Sequence, residues 1–567
     1  MLCTSESVLQ PPFQPVYKPT AQAVTAESTN NSKGVESGTP DNTQSGGLVR
    51  SGVIVSSMTL LSRILGFVRD QVLAIFFGAG AITDVFLVAW KIPNFLRKLF
   101  AEGAFAQGFI PVFTEYKEKR TRQELLNLAS HVSGALSMVL LLISTLGVML
   151  APFLVMIFAP GFARSGEQFE LATSMLRITF PYLFFVSLLA YSGSILNTFG
   201  QFAIPSLTPV LLNVCMIFAA IWLAPMFEQP IVALAWGVLL AGITQIAFQL
   251  PFLRKIGLMP RPVFGLGSWH HPGVKRILKL MGPVVFGSSV AQINILLDTV
   301  IASFLITGSL SWLYYSDRLM QFPLGILGVA LATVILPRLS TRYTNRAEAG
   351  FRNTLEWALK ITLLVGMPAA FGLLILASPL IATLFEYGQF SAADTRMTSF
   401  SLMAYSLGVP AFILTKVMLP AFFSRHDTRT PVRIGITALL CNMLYNIILV
   451  VPMVLAGFVA PHTGLALAST MSAWQQTWML YRKLKLQGIY QASSDFHRFA
   501  RRMLPALVVM TVVMLGLMVV WTPGAEWSGM QFVGRTSALL VIIVAAMCAY
   551  AATLWVSGLR PRDLMSE

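Results

Sequence analysis

Residues 55–78 read VSSMTLLSRILGFVRDQVLAIFFG, and residues 83–105 read TDVFLVAWKIPNFLRKLFAEGAF. As helices, both stretches are long enough to cross about 30 Å of hydrocarbon, yet each carries several charged side chains. A charge inside a spanning segment is costly and usually faces the interior of a helix bundle or a water-filled cavity. The two stretches therefore predict a helical membrane protein with a polar interior.

The composition of the whole chain indicates the same class. Of its 567 residues, 55% are hydrophobic and 11% are charged, whereas a soluble domain has about 25% charged residues. We interpret the net charge of +16 as the Lys and Arg excess of cytoplasmic loops, so no nucleic-acid partner is expected. The four cysteines have no spacing typical of a disulfide framework or a metal site, and no cofactor is expected.

Apolar segments continue to the C-terminus and predict an all-α polytopic protein with about fourteen transmembrane helices. The predicted spans are 52–77, 82–112, 128–158, 170–196, 206–226, 231–254, 278–306, 312–337, 354–384, 397–422, 431–455, 462–482, 500–521 and 533–556. Basic residues concentrate in alternate loops, which places both termini in the cytoplasm by the positive-inside rule. Residues 1–50 are rich in Ser, Thr, Asn and Gly, so we expect a disordered cytoplasmic tail.

The two halves of the chain resemble each other at an offset of 226 residues. The pairs at this offset are Pro111 with Pro337, Pro205 with Pro431, Cys215 with Cys441, and Gln249 with Gln475. Six helices per half predict a parallel repeat, which is typical of transporters that bind their substrate between the repeats. We therefore divide the chain into the tail (1–50), an N-lobe (51–255), a cytoplasmic linker (256–277), a C-lobe (278–485) and a part with two extra helices (486–567).

Charged residues within the predicted spans indicate the nature of the ligand. The cations are Arg63, Arg69, Lys91, Arg97, Lys98, Arg177, Arg318 and Lys416, and the anions are Asp70, Asp84, Glu102, Asp298 and Asp317. A cavity that held them all would be net positive and would favour an anionic ligand. Arg in particular suits the bidentate geometry of phosphate.

Several long stretches resemble the MurJ (MviN) family. They include SSMTLLSRILGFVRDQVLAIFFGAGAITDVFLVAWKIPNFLRKLF, SWLYYSDRLMQFPLGILGVALATVILP and FFSRHDTRTPVRI, and the resemblance runs from about Val53 to near the C-terminus. It implies a fold of the multidrug/oligosaccharidyl-lipid/polysaccharide exporter superfamily, with two six-helix lobes and two extra helices that form a groove for a lipid tail. It also implies a transporter rather than an enzyme: a flippase that moves lipid II, a polyprenyl-pyrophosphate-linked peptidoglycan precursor, to the outer leaflet of the bacterial inner membrane.

The resemblance also implies a substrate site. The family's cavity arginines match Arg63, Arg69, Arg97 and Arg318, and its acidic partner matches Asp84. With Lys91, Asn94 and Asp70 these residues complete the predicted site, in which arginines hold the pyrophosphate while the two lobes rock to give alternating access. One departure from the family is Gln321, where members often have Glu.

The expected partners are lipid II, membrane lipids and the cell-wall synthesis machinery. Four alternatives remain open. A flippase for another lipid-linked saccharide would look similar, whereas a cation-coupled exporter of the same superfamily would have a mainly acidic cavity. A polymerase or ligase would need catalytic groups at the outer face, and a scaffold would tolerate the loss of Arg63 and Arg97. Membrane potential, protons and sodium are all open as energy sources.

Overall fold

The computed structural model describes residues 42–98, 105–265, 267–521 and 527–560. Within these ranges every regular element is a helix, which confirms the predicted all-α class. Of the predicted tail, residues 1–41 lie outside the described residues, as does Glu102. Helix α1 begins at Asn42, before the predicted boundary at residue 50.

The part of the chain that the structure describes forms 21 α-helices, and their order shows the two halves. The helices of the first half are α1 (Asn42–Phe77), α2 (Ala81–Arg97), α3 (Ala106–Lys119), α4 (Arg122–Met149), α5 (Ala151–Phe158), α6 (Gly166–Thr179), α7 (Tyr182–Thr198), α8 (Ala203–Phe218) and α9 (Val232–Lys255). The short helix α10 (Gly267–His270) lies between the halves.

The second half has the same order of long and short helices. Its members are α11 (Pro272–Ser303), α12 (Ser309–Pro323), α13 (Val329–Thr344), α14 (Glu348–Ile375), α15 (Ala377–Phe385), α16 (Ala392–Ser406), α17 (Val409–Phe423), α18 (Arg429–Leu455) and α19 (Thr463–Leu486). A π-helical segment, Leu324–Gly328, joins α12 to α13. The last two helices, outside the repeat, are α20 (Ser494–Trp521) and α21 (Phe532–Val556).

The internal repeat is visible in which helices touch. In the first half α2 packs on α6, α4 on α7, and both α7 and α8 on α9. In the second half α12 packs on α16, α14 on α17, and both α17 and α18 on α19. Each contact therefore recurs ten helices later, as expected if the halves share one fold.

Each of the fourteen predicted spans falls on one helix or on two consecutive helices. In the described residues, eight helices are long and apolar enough to cross a membrane, or nine if the bent pair α16–α17 is one span. The number fourteen is therefore not confirmed by length and composition alone. The other five predicted spans contain α1, α2, α11, α12 and α19, which carry most of the polar side chains described below.

The segment between α9 and α11 is held against α4. The backbone N–H of Val263 donates to the carbonyl of Ser130 at 3.2 Å. A Cβ at Gly134 would overlap the Val263 carbonyl, so the two backbones can approach this closely only because residue 134 is glycine. The linker between the halves thus has a defined path along the first half.

Helices α20 and α21 pack against each other and against α14 and α15 of the second half. Their shared core includes Met503, Met510 and Ile542, all buried. The buried Arg535 of α21 donates from Nη1 to the carbonyl of Ala382 at 3.0 Å and forms an ion pair with Glu386 at 3.6 Å. The two extra helices are therefore attached to the second half through both apolar packing and a buried cation.

Candidate functional site

A cavity of about 540 Å³ lies between the two halves. Among the residues that the structure describes, the first half contributes to its wall residues of α2 and the adjacent Lys98, and the second half contributes residues of α11, α12 and α16–α19. The polar side chains that line it include Lys91, Asn94, Lys98, Asn294, Asp298, Asp317, Arg318, Gln321, Tyr405, Asn442, Ser469, Ser472 and Gln476. The cavity thus lies at the interface of the repeats, where sequence analysis placed the site.

The charge of this cavity is positive, but less so than the sequence suggested. Its lining carries three cations, Lys91, Lys98 and Arg318, and two carboxylates, Asp298 and Asp317. The other residues of the predicted charged set that the structure describes do not line it. These are Arg63, Arg69, Arg97, Arg177, Lys416, Asp70 and Asp84. The lining side chains therefore carry a net charge of +1, which still favours an anionic ligand.

Asp70 is the centre of a buried network behind the cavity wall. Its carboxylate is fully buried and accepts hydrogen bonds from Arg69 Nη2 at 2.6 Å, Arg318 Nε at 2.5 Å and the Tyr314 hydroxyl at 2.8 Å. Two guanidinium groups share one carboxylate, so a positive charge remains. The carboxylate comes from α1 and Arg318 from α12, so the network joins the two halves.

Arg69 is enclosed within this network and does not face the cavity. It is 3% exposed; Nη1 donates to the Asn213 side-chain oxygen at 3.0 Å, and its guanidinium lies 5.0 Å from the Trp90 ring centre. Arg318 differs, because its side chain is 35% exposed and lines the cavity. Of the two arginines bound to Asp70, only Arg318 is therefore placed to meet a ligand.

Arg97 and Asn94 are adjacent on α2. Arg97 donates from Nε to the Asn94 side-chain oxygen at 2.8 Å, and Asn94 lines the cavity while Arg97 does not. Asn at position 94 therefore connects Arg97 to the cavity wall. The three-residue spacing places both side chains on the same face of α2.

Asp84 does not line the cavity, and it caps a helix of the other half. Its carboxylate accepts from the backbone N–H of Gly308 at 2.7 Å and from both the N–H and the hydroxyl of Ser311, at 2.8 Å and 2.6 Å. These groups lie at the first turn of α12, where free N–H groups and the helix dipole favour an anion. Asp84 is 3% exposed, so the contact is a buried link between the halves.

The opposite cavity wall carries carboxylates and amides. Lys91 Nζ donates to the Thr299 hydroxyl at 3.4 Å and lies within electrostatic range of Asp298 and Asp317. Asp298 accepts from the Asn446 amide at 2.8 Å. Lys91 from the first half thus faces two carboxylates of the second half across the cavity.

Gln321 donates its side-chain amide to Asp317 in the preceding turn. A Glu at this position would place a second carboxylate next to Asp317. The Gln321 amide instead stabilises the Asp317 carboxylate. The departure from the family pattern therefore replaces an acidic group at the cavity wall with a hydrogen-bond donor.

Sequence reasoning did not single out four residues that complete this arrangement, Tyr314, Asn213, Ser311 and Asn446. Asn213 and Asn446 lie within apolar spans and are 5% and 1% exposed. A lone amide in such a span is itself a signal, because it needs a hydrogen-bond partner in the bundle interior. Tyr314 and Ser311 carried no comparable signal.

The chain is similar to known proteins over most of its length. Residues 73–536 match a protein family described as "Lipid II flippase MurJ". The "Probable lipid II flippase MurJ" of Vibrio cholerae is 45% identical over 91% of this chain and 97% of its own length. The "Lipid II flippase MurJ" of Burkholderia cenocepacia is 38% identical over 90% of this chain and 98% of its own.

Solved structures show the same relationship at the level of the fold. One described as "Lipid II flippase MurJ, inward closed conformation" aligns with a TM-score of 0.74 and 28% identity, over 90% of this chain and all of that one. An inward-facing multidrug transporter of the MOP superfamily aligns with a TM-score of 0.62 and 14% identity, over 77% of this chain. The second match shows the fold alone.

Proposed function

This chain belongs to the lipid II flippase MurJ family, and on that premise we propose that it carries lipid II across the bacterial inner membrane. It is a multi-pass membrane transporter of peptidoglycan synthesis. The substrate's pyrophosphate enters the cavity between the halves, its polyprenyl tail stays in the lipid, and the two halves rock to expose the cavity to either side in turn. Both termini lie in the cytoplasm.

The observation that carries this proposal is the position of Arg318. Its guanidinium is held by Asp70 at 2.5 Å and still lines the cavity, together with Lys91 and Lys98. Arg318 would bind the pyrophosphate, because guanidinium N–H groups match phosphate oxygens. Lys91 and Lys98 would contribute charge from the facing helix. The excess of cations distinguishes this cavity from one built for cationic drugs.

Three further predicted residues, Arg69, Asp70 and Arg97, support the site from behind. Arg69 and Asp70 hold Arg318 in place, since an arginine buried beside a carboxylate has a fixed geometry. Arg97 orients Asn94 at the cavity wall. We therefore assign contact with the ligand to Arg318, Lys91, Lys98 and Asn94, and a positioning role to these three.

The two ends of the bundle differ in how firmly they are closed. Asp84, at the start of the predicted span 82–112, is joined to α12 by three buried hydrogen bonds. Near it, the N–H of Gln389 donates to the carbonyl of Ile75 at 2.9 Å. Beyond the other end of that span, Glu115 and Arg276 form an ion pair at 2.8 Å between side chains 38% and 55% exposed.

A buried carboxylate bound by helix N–H groups holds more firmly than an exposed ion pair, which contributes about 0–1 kcal/mol. We place entry at the Glu115 end, which is cytoplasmic if both termini are cytoplasmic. Opening at the Asp84 end would release the ligand outside. The membrane potential would favour outward movement of negative charge by about 2.3 kcal/mol per charge per 100 mV.

The test is made in cells depleted of this protein, to which an enzyme that cleaves lipid II only from the outer face is added. We expect the cleaved fraction to collapse on depletion and to return with the wild-type protein. It should not return with Arg318→Gln. Arg177→Gln is the matched control, because Arg177 is an exposed cation of α6 that does not line the cavity.

Two results would contradict the proposal. Unchanged cleavage on depletion would show that lipid II crosses by another route. Full rescue by Arg318→Gln would show that the cationic cavity is not needed for the crossing.

A further inference from the structure

A second cavity, of about 410 Å³, lies at the Glu115 end of the bundle. Its walls are the C-terminal end of α3, from the first half, and the first turns of α11, from the second half. Its volume is in the range of small-ligand sites. Its polar lining consists of Glu115, Tyr116, Lys119, Arg120 and Arg276, none of which lines the central cavity.

The two walls are held together by apolar packing next to the cavity. Phe109 and Phe113 of α3 and Val274 and Ile277 of α11 are buried in one cluster. A Cβ at Gly108 would lie only 3.0 Å from the carbonyl oxygen of Ile277, so the helices approach this closely because residue 108 has no side chain. A ligand in the cavity would therefore touch both halves where they meet.

The second cavity has a positive charge. Lys119, Arg120 and Arg276 face a single carboxylate, that of Glu115, so its lining has a net charge of +2. Arg120 also lies 3.6 Å from Glu124, whereas Lys119 forms no ion pair within the part of the chain that the structure describes. A cavity lined mainly by cations concentrates anions.

Arg276 already holds a carboxylate, which belongs to the protein itself. Its Nη1 lies 2.8 Å from Oε2 of Glu115, and these side chains are 55% and 38% exposed. An ion pair this exposed is weak, so a carboxylate from outside can replace Glu115 at little cost. The released Glu115 has Lys119 four residues further along α3, which is the favourable order for a helical Glu–Lys pair.

We infer that the second cavity binds a carboxylate of the substrate's peptide, which takes the place of Glu115 on Arg276. The inference rests on the proposed function, in which Arg318 binds the pyrophosphate in the central cavity. The peptide of a peptidoglycan precursor is polar and ends in a carboxylate, so it stays out of the hydrocarbon. Because the Glu115–Arg276 pair joins the halves, the exchange loosens the end at which the ligand enters.

The test uses two probes that each carry one part of the substrate's chemistry. N-acetylmuramyl pentapeptide has carboxylates and no phosphate, and undecaprenyl pyrophosphate has phosphates and no peptide. Binding of each radiolabelled probe to the purified full-length protein is measured at equilibrium. Arg276→Gln should weaken binding of the peptide probe about three- to fivefold, as expected for one exposed charge contact. It should leave binding of the pyrophosphate probe unchanged, and Arg318→Gln should show the reverse.

Two controls accompany this comparison. Lys275→Gln removes an exposed cation beside Arg276 that does not line the second cavity, and it should leave binding of both probes unchanged. A peptide probe whose carboxylates are amidated should bind the wild-type protein no better than the unmodified probe binds Arg276→Gln.

Glu115→Gln distinguishes an exchange from a fixed contact. Loss of the internal carboxylate leaves Arg276 available to the peptide probe, so binding should become about two- to fivefold tighter. An Arg276 that only closed the bundle would give no such gain.

The outcomes separate this inference from the proposed function. Unchanged peptide binding in Arg276→Gln overturns the inference, as does peptide binding that is no tighter in Glu115→Gln than in wild type. If Arg318→Gln weakens peptide binding and Arg276→Gln does not, the peptide lies in the central cavity and the proposed function stands. If Arg276→Gln weakens only pyrophosphate binding, the second cavity is a phosphate site and the inference fails. If Arg318→Gln binds the pyrophosphate probe like wild type, the proposed function loses its cationic cavity, whatever Arg276→Gln shows.

Discussion

At the scale of the residue, one carboxylate determines what two arginines do. Asp70 is fully buried and binds Arg69, Arg318 and Tyr314 within 2.5–2.8 Å. Arg69 is enclosed by these contacts, whereas Arg318 reaches the cavity. Identical side chains therefore have different roles, because burial leaves only one of them accessible to a ligand.

Replacing Asp70 should destabilise the protein strongly. Asp70→Ala leaves Arg69 as a buried cation without its carboxylate, which costs about 3–5 kcal/mol of unfolding free energy. Tyr314→Phe removes one hydrogen bond and should cost about 1 kcal/mol. Denaturant titration in detergent measures both. Glu167→Ala, at an exposed position of α6, should stay close to wild type, and an Asp70→Ala variant as stable as this control would contradict the network's role.

At the scale of the element, several helices that form the site are not among those long and apolar enough to cross a membrane. Helices α1, α2 and α12 carry Asp70, Asp84, Lys91 and Arg318. Their polar side chains meet in the bundle interior, whereas α4, α18 and α20 are long and apolar enough to cross a membrane. The first turn of α12 also takes part in a polar contact inside the bundle, since its free N–H groups are capped by Asp84 from another helix.

Removal of this cap should open the Asp84 end of the bundle. Spin labels on Ile82→Cys and Gln389→Cys, both exposed positions of a cysteine-free protein, report the distance across that end. Asp84→Ala should add a longer component to the distance distribution, because three buried hydrogen bonds between the halves are lost. Ser311→Ala removes only the hydroxyl contact and should have a smaller effect. Identical distributions for wild type and Asp84→Ala would exclude Asp84 as a closing contact.

At the scale of the whole molecule, two similar halves border a cavity and meet through different contacts at the two ends of the bundle. The Asp84 end has buried hydrogen bonds, and the Glu115 end has an exposed ion pair beside the apolar packing of α3 on α11. In the proposed alternating access, the repeat would supply the symmetry by which either end opens, since both halves have the same helix contacts.

A charge exchange at the Glu115 end tests this difference. Arg276→Glu places a like charge beside Glu115, so the end should open more often. A cysteine at the cavity residue Ser469 should then react about two- to fivefold faster with an impermeant thiol reagent at that end, in line with an exposed pair of about 1 kcal/mol or less. Combining Arg276→Glu with Glu115→Arg should restore the wild-type rate. If the double variant reacts as fast as the single one, the ion pair does not close this end.

The sequence by itself determined the fold class, the repeat and the identity of the polar spans. Hydrophobic length and charge placement are local properties of the chain, and a helix satisfies its own backbone hydrogen bonds, so these features follow without knowledge of packing. The offset of 226 residues predicted the repeated contacts for the same reason, because equivalent sequences fold into equivalent helices.

Only the tertiary structure decided which charges face the cavity. Arg63, Arg69 and Arg97 look equivalent to Arg318 in the sequence, yet the first lies on the π-helical segment, the second is enclosed by Asp70 and the third is bonded to Asn94. Asp84 caps the start of α12 and does not line the cavity. Burial and pairing depend on residues far apart in the chain, such as Asp70 and Arg318, and no local pattern records which of them will meet.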